Sequence, residues 1–241
     1  MEKHTVSASL TDNTKYMNRA LPVKKSFDII ERNLIIGGQN SAFYFIDGFT
    51  KDETMLKLMD SFLNISADDM PEDATSFSTS CIPYVEVDIL GDFDSIFKNL
   101  LSGVTCLFID GYEAAIAIDC RTYPSRSIEE PDKDKSLRGS RDGFVETIVF
   151  NTALMRRRIR DPHLIMEMYE AGTSTRTDVA LCYMSDRVDR ELLTTIQNKL
   201  EESKSQDLKM SQQSLAESLF QRKWYNPFPK YKFTERPDTA C

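Results

Sequence analysis

The chain has 241 residues, 41% hydrophobic and 28% charged, with a formal net charge of −8 and a pI near 5.0. That length suits one large or two small domains of ordinary soluble composition. The acidic balance excludes general nucleic-acid binding, which needs a basic footprint, and no stretch approaches the ~18 apolar residues of a membrane helix.

The polar residues 1–26 read as a flexible N-terminal tail or a short peripheral helix, with no apolar region of a secretory signal. Residues 27–121 read as a first α/β subdomain. Strands are expected over Ile29–Ile36 and Ala42–Ile46, separated by Gly37-Gly38. Thr50 and Glu53 have capping-box spacing, and the Leu56, Met59, Phe62, Leu63 stripe predicts a helix over 51–64. Residues 66–80 are acidic and loop-like, and Tyr84–Leu90 is strand-like. Asp92 is a candidate N-cap for the helix carrying Phe93, Ile96, Phe97, Leu100 and Leu101, which Gly103 ends. Val104–Ile109 and Ala114–Cys120 read as a hairpin turning at Asp110-Gly111. The segment Phe45-Ile46-Asp47-Gly48-Phe49 is echoed by Phe108-Ile109-Asp110-Gly111-Tyr112.

Residues 122–141 form a charged linker bearing Pro124, Pro131 and Gly139. A second α/β subdomain is expected over 142–223. It comprises a helix over 143–159, strands over Leu164–Glu170 and Asp178–Met184, and helices over 187–203 and 211–222. Residues 224–241 read as extended. The expected class is therefore α/β: two small subdomains, each a mixed sheet with flanking helices, joined by the linker.

Catalytic motifs are absent. The sequence holds no GxxxxGK[ST], GxGxxG, GxSxG or HExxH. His4 and His163 are isolated, and the acidic runs around Pro71 and Pro131 suit solvent better than acid–base work. The five cysteines contain no CxxC pair, so no zinc or redox motif is supported, and Cys106, Cys120 and Cys182 read as reduced core residues. No metal or cofactor is implied.

Arginines give the stronger signal. Arg138 and Arg141 approach a helix start, where backbone N–H groups favour anions. They form an anion clamp, or they pair with Asp132, Asp134, Asp142 or Glu146. Gly139 and Gly143 allow a tight turn into the helix. Arg156, Arg157, Arg158 and Arg160 suit the last helical turn, as a solvated end or as a contact to another subunit or anionic lipid. Asn151, near the apolar face, needs a partner, with the linker backbone available.

The Glu130-Pro131 pair, the run Arg138-Gly139-Ser140-Arg141-Asp142-Gly143-Phe144-Val145-Glu146, Asn151, Arg156-Arg157-Arg158-Ile159, Phe228-Pro229 and Thr234-Glu235-Arg236-Pro237-Asp238 occur in one order. Together they resemble the soluble N-terminal domain of the A subunit of GerA-family spore germination receptors. The resemblance implies two small α/β subdomains facing the spore core at the inner spore membrane, without enzymatic activity, in a chain continuing into membrane helices beyond Cys241. It implies B and C receptor subunits as partners, with other A subunits and a small nutrient germinant as further candidates. The alternatives are an enzyme on anionic metabolites, using Arg138 and Arg141, and a purely structural assembly module.

Overall fold

The structure, a computed structural model, describes residues 4–50, 52–123, 143–205, 215–216 and 231–241. Its first half is built on a five-stranded sheet of order β1-β2-β4-β5-β3. The strands are β1 (Ile29–Ile36), β2 (Gln39–Ile46), β3 (Val87–Leu90), β4 (Thr105–Ile109) and β5 (Ala115–Ile118). Every pairing is antiparallel, so the α/β class holds while the expected mixed sheet does not. Short connections explain this, since the β1–β2 and β4–β5 links are too short for the crossover that parallel strands need.

Side chains alternate across this sheet. Tyr44, Cys106 and Phe108 point to one core, shared with α1 (Leu10–Ala20) and α4 (Phe93–Leu101) through Met17, Phe93, Ile96 and Leu100. Phe43, Leu107 and Ile116 point to the other, shared with α2 (Asp52–Leu63) and α3 (Ala74–Ser80) through Leu58, Phe62 and Phe77. Central β4 is buried on both faces, which accounts for its unbroken apolar run.

Two expectations are corrected here. Residues 4–26 are not a flexible tail but carry the helix of the other reading, and it is not peripheral, because Met17 and Leu21 are buried beneath the sheet and Asp110 accepts a hydrogen bond from the Leu10 N–H at 2.9 Å. The acidic 66–80 segment contains α3, whose start is set by Asp73 accepting from the Ser76 N–H at 2.8 Å. Asp92 caps α4 as expected, accepting from Ser95 N–H at 2.9 Å. The Thr50–Glu53 box is not closed, since Thr50 Oγ1 has no hydrogen-bond partner among the described residues.

The second half holds α5 (Ile148–Arg158), the antiparallel pair β6 (Leu164–Ala171) and β7 (Thr177–Met184), α6 (Arg190–Ser203) and the short α7 (Pro237–Ala240). Asp189 caps α6 by accepting from Glu191 and Leu192 N–H groups. The helix expected over 211–222 apart from Leu215 and Ala216, most of the linker and residues 224–230 lie outside the described residues, and in the described part of the segment expected to be extended Pro237–Ala240 is helical.

Candidate functional site

Helix α5 is where the halves meet. Thr147 at its start offers no side-chain cap. Asn151 instead grips the incoming chain, accepting from Val145 N–H at 2.7 Å and donating to Val145 O at 2.6 Å. Phe144 N–H donates to Glu235 O at 2.8 Å, and α7 packs against α5, so the last described segment is carried on this helix. On its other side α5 enters the first half. Ala153 belongs to the α1/α4 core, and Gly48, with φ +79°, approaches Val149 so closely that a Cβ would lie 3.0 Å from Val149 Cγ1.

Arg156 is the centre of this junction. Its guanidinium has no exposed surface, and Asp28, immediately before β1, is 1% exposed. Arg156 Nε donates to Asp28 Oδ2 at 2.7 Å and Nη2 to Asp28 Oδ1 at 3.3 Å. Its remaining donors reach Asp161 O and Leu164 O, both at 3.0 Å. Ser26 Oγ donates to Asp28 and accepts from Met166 N–H at 3.0 Å, while Phe27 N–H donates to Met166 O at 2.9 Å. A buried cation so completely bonded is a fixed joint, because separating it would strand a charge and two carbonyls away from water. Nearby Asp47 is pushed above the usual carboxylate range, first by burial and then by the charges of Asp28 and Asp52, against a hydrogen bond from Gly48.

The other arginines take different partners. Arg157 lies over the Tyr123 ring, 4.7 Å from its centroid. Tyr123 in turn packs on Phe49 and donates to Ser102 O at 2.9 Å. Arg160 Nη1 donates to Ser102 Oγ at 3.2 Å. The charge of Arg158 adds to the Arg236 hydrogen bonds in holding Asp238 below its ordinary range.

Of the residues singled out from the sequence, Gly143, Asn151, Arg156, Arg157 and Arg158 gather along α5 and its approach, Gly143 buried and Glu146 exposed. Arg138, Gly139, Arg141 and Asp142 lie outside the described residues. The solvated or intersubunit reading of Arg156 is corrected, because its partner is Asp28 of the same chain. Sequence reasoning missed Ser26, Asp28, Gly48 and Tyr123. The signal for Asp28 was a carboxylate directly abutting the apolar strand Ile29-Ile30, and for Gly48 the repeated Asp-Gly turn. Among the described residues no group of three or more His, Cys, Asp or Glu side chains can hold a metal ion. No described helix is long and apolar enough to cross a membrane.

Residues 15–241 match the family model for the Bacillus/Clostridium GerA spore germination protein. The chain is 32% identical over 241 residues to stage V sporulation protein AF of Bacillus subtilis, covering 100% of this chain and 49% of that protein. It is 29% identical over 240 residues to spore germination protein KA of the same organism, covering 98% of this chain and 43% of that protein. The chain thus spans about half the length of these relatives. Its fold matches the crystal structure of the N-terminal domain of the A subunit of the Bacillus megaterium spore germinant receptor GerK3. The TM-score is 0.68 at 21% identity, covering 100% of this chain and 89% of that one.

Proposed function

The chain belongs to the GerA family of Bacillus/Clostridium spore germination proteins, and from that premise we propose that it is the N-terminal domain of a germinant receptor A subunit that relays a signal without catalysing a reaction. The observation that carries this reading is α5. The helix holds the first half through Arg156–Asp28 and the start of the linker through Arg157–Tyr123, and the segment leading into it holds the C-terminal segment through Phe144–Glu235. This reading puts the rest of the receptor after that segment, so that motion of either half would reach it through α5. Partner B and C subunits, other A subunits and an inner spore membrane location with this domain on the core side belong to the same proposal. So does a role for Arg138, Gly139, Arg141, Asp142 and Glu146 at a ligand or subunit contact.

The test is genetic. The full-length gene carrying Arg156→Met replaces the native copy, and spores are followed optically after nutrient addition. Normal spore yield with slowed germination, at normal protein level, supports relay. Wild-type germination with the variant would count against it. The 32% identity to a stage V sporulation protein favours one other reading, a role in spore formation itself. That reading predicts a reduced yield of mature spores from the deletion strain, before any nutrient is added.

A further inference from the structure

A cleft of about 460 Å³ opens between the halves. One wall is the end of α1 and the turn after it, with Asn18, Arg19, Lys24 and Lys25. The other is Pro162, His163 and Ser185 from the corners flanking β6 and β7. The turn is fixed by Lys25 and Ser26 N–H groups both donating to Pro22 O, at 2.9 and 2.8 Å, and the facing corners are tied by Ser185 N–H donating to His163 O at 2.8 Å. Both walls are therefore held by backbone.

The lining of this cleft carries three cations and no carboxylate, although the chain carries −8 overall. Arg19, Lys24 and Lys25 have no ion pair or side-chain hydrogen bond among the described residues. The surrounding acids are already engaged. Asp161 accepts from both the backbone and ring nitrogens of His163 at 2.8 Å. Asp186 pairs with Arg187 at 3.4 Å, and Glu31 accepts from Asn18 Nδ2 at 3.0 Å. Glu167, whose charge reaches Lys25, accepts from Tyr169, Tyr183 and Gln197, each at 2.7 Å. Three cations lining one concave surface raise the local concentration of anions.

We propose that this cleft is a binding site for a small multiply charged oxyanion of the phosphate class, seated between Arg19, Lys24 and Lys25 of one half and the His163–Ser185 corner of the other. It adjoins the joint already described. Lys25 precedes Ser26, and Asp161 both accepts from Arg156 through its carbonyl and fixes His163 through its carboxylate. An occupant touching both walls adds a bond across the junction, so it favours the closed arrangement of the two halves over any separated one.

The experiment is calorimetric titration of the 241-residue chain with inorganic pyrophosphate, against sodium chloride at matched ionic strength. The variants are Lys24→Gln/Lys25→Gln in the cleft and Arg157→Gln outside it. The proposal expects saturable one-to-one binding, weakened about tenfold or more by the double lysine variant and unchanged by Arg157→Gln. No heat at millimolar pyrophosphate overturns it. Equal weakening by Arg157→Gln, or by salt alone, would reveal unspecific attraction to a basic surface and overturn it too. Melting curves of the variants without ligand establish that the substitutions leave the fold intact.

Discussion

Breaking the joint between Arg156 and Asp28 should cost the protein a large part of its stability. Arg156→Met leaves the Asp28 carboxylate at 1% exposure with its cation gone, and Asp161 O and Leu164 O lose their donor. Removing one member of a buried ion pair typically costs about 3–5 kcal/mol, against a total stability of roughly 5–15 kcal/mol for a domain. At about 2–4 °C per kcal/mol for a chain of this size, the melting midpoint should fall by roughly 6–20 °C. Asp28→Ala should do similar damage by stranding the guanidinium. Because each single change also inflicts the other partner's desolvation, the double variant should fall short of the summed losses by about 2 kcal/mol. It should not regain wild-type stability, since the two carbonyls remain unsatisfied. Urea denaturation of the four proteins gives the cycle. Amide exchange adds the location: β6 and β7 should exchange faster in Arg156→Met while β2 and β4 keep their protection. A single-variant loss below about 1 kcal/mol, or an additive double variant, would refute the assignment of this pair as the joint.

Other consequences follow from individual positions. Gly48→Ala, forced to φ +79° with its Cβ 3.0 Å from Val149 Cγ1 and 3.3 Å from Val149 O, should lose about 1–3 kcal/mol in urea denaturation. Gly111→Ala has φ +92° but open space around it, so it should lose only the backbone strain of roughly 1–2 kcal/mol. Asp47→Asn should raise the melting midpoint at pH 7. Burial lifts the Asp47 pKa, so its ionised form disfavours the fold above that value. The gain should vanish as pH falls through the folded pKa, where Asp47 is protonated anyway. Burial pushes the Cys106 and Cys182 thiols up to about 12, so mass spectrometry after iodoacetamide at pH 8 should find both unmodified in the native chain and alkylated after denaturation.

Much of the architecture was written in periodicity. The apolar run Val104–Ile109, the Asp92 cap and the stripe of α4 each follow from a local rule, and the structure keeps them. The failures share one physical cause. Polar segments look unstructured when read locally, yet α1 and α3 form because a few apolar side chains, Met17 with Leu21 just past the end of α1 and Phe77 in α3, find a sheet that is distant in sequence. The antiparallel pairing of β3 with β5 is likewise a tertiary outcome, since residues 91–114 separate them. The same limit hid Asp28. A carboxylate beside a strand resembles any surface acid until a cation 128 residues away is brought onto it.

The arginine run shows what the sequence could and could not decide. Consecutive helical positions project about 100° apart, so Arg156, Arg157 and Arg158 are bound to face three directions. That geometry was legible, and it rules out a single anion gripped by all three. What the three directions contain depends on the tertiary fold: a buried carboxylate, an aromatic ring and the C-terminal segment. The first demands a guanidinium, because Asp28, Asp161 O and Leu164 O are reached by different nitrogens of one planar fork, which the single ammonium of a lysine lacks. The second and third tolerate lysine, since a ring face and an exposed aspartate ask only for charge. Arg156→Lys should therefore be the damaging member of three otherwise equivalent exchanges. If Arg157→Lys or Arg158→Lys proved equally destabilising, the helix end would be holding the halves by pooled charge rather than by one buried joint.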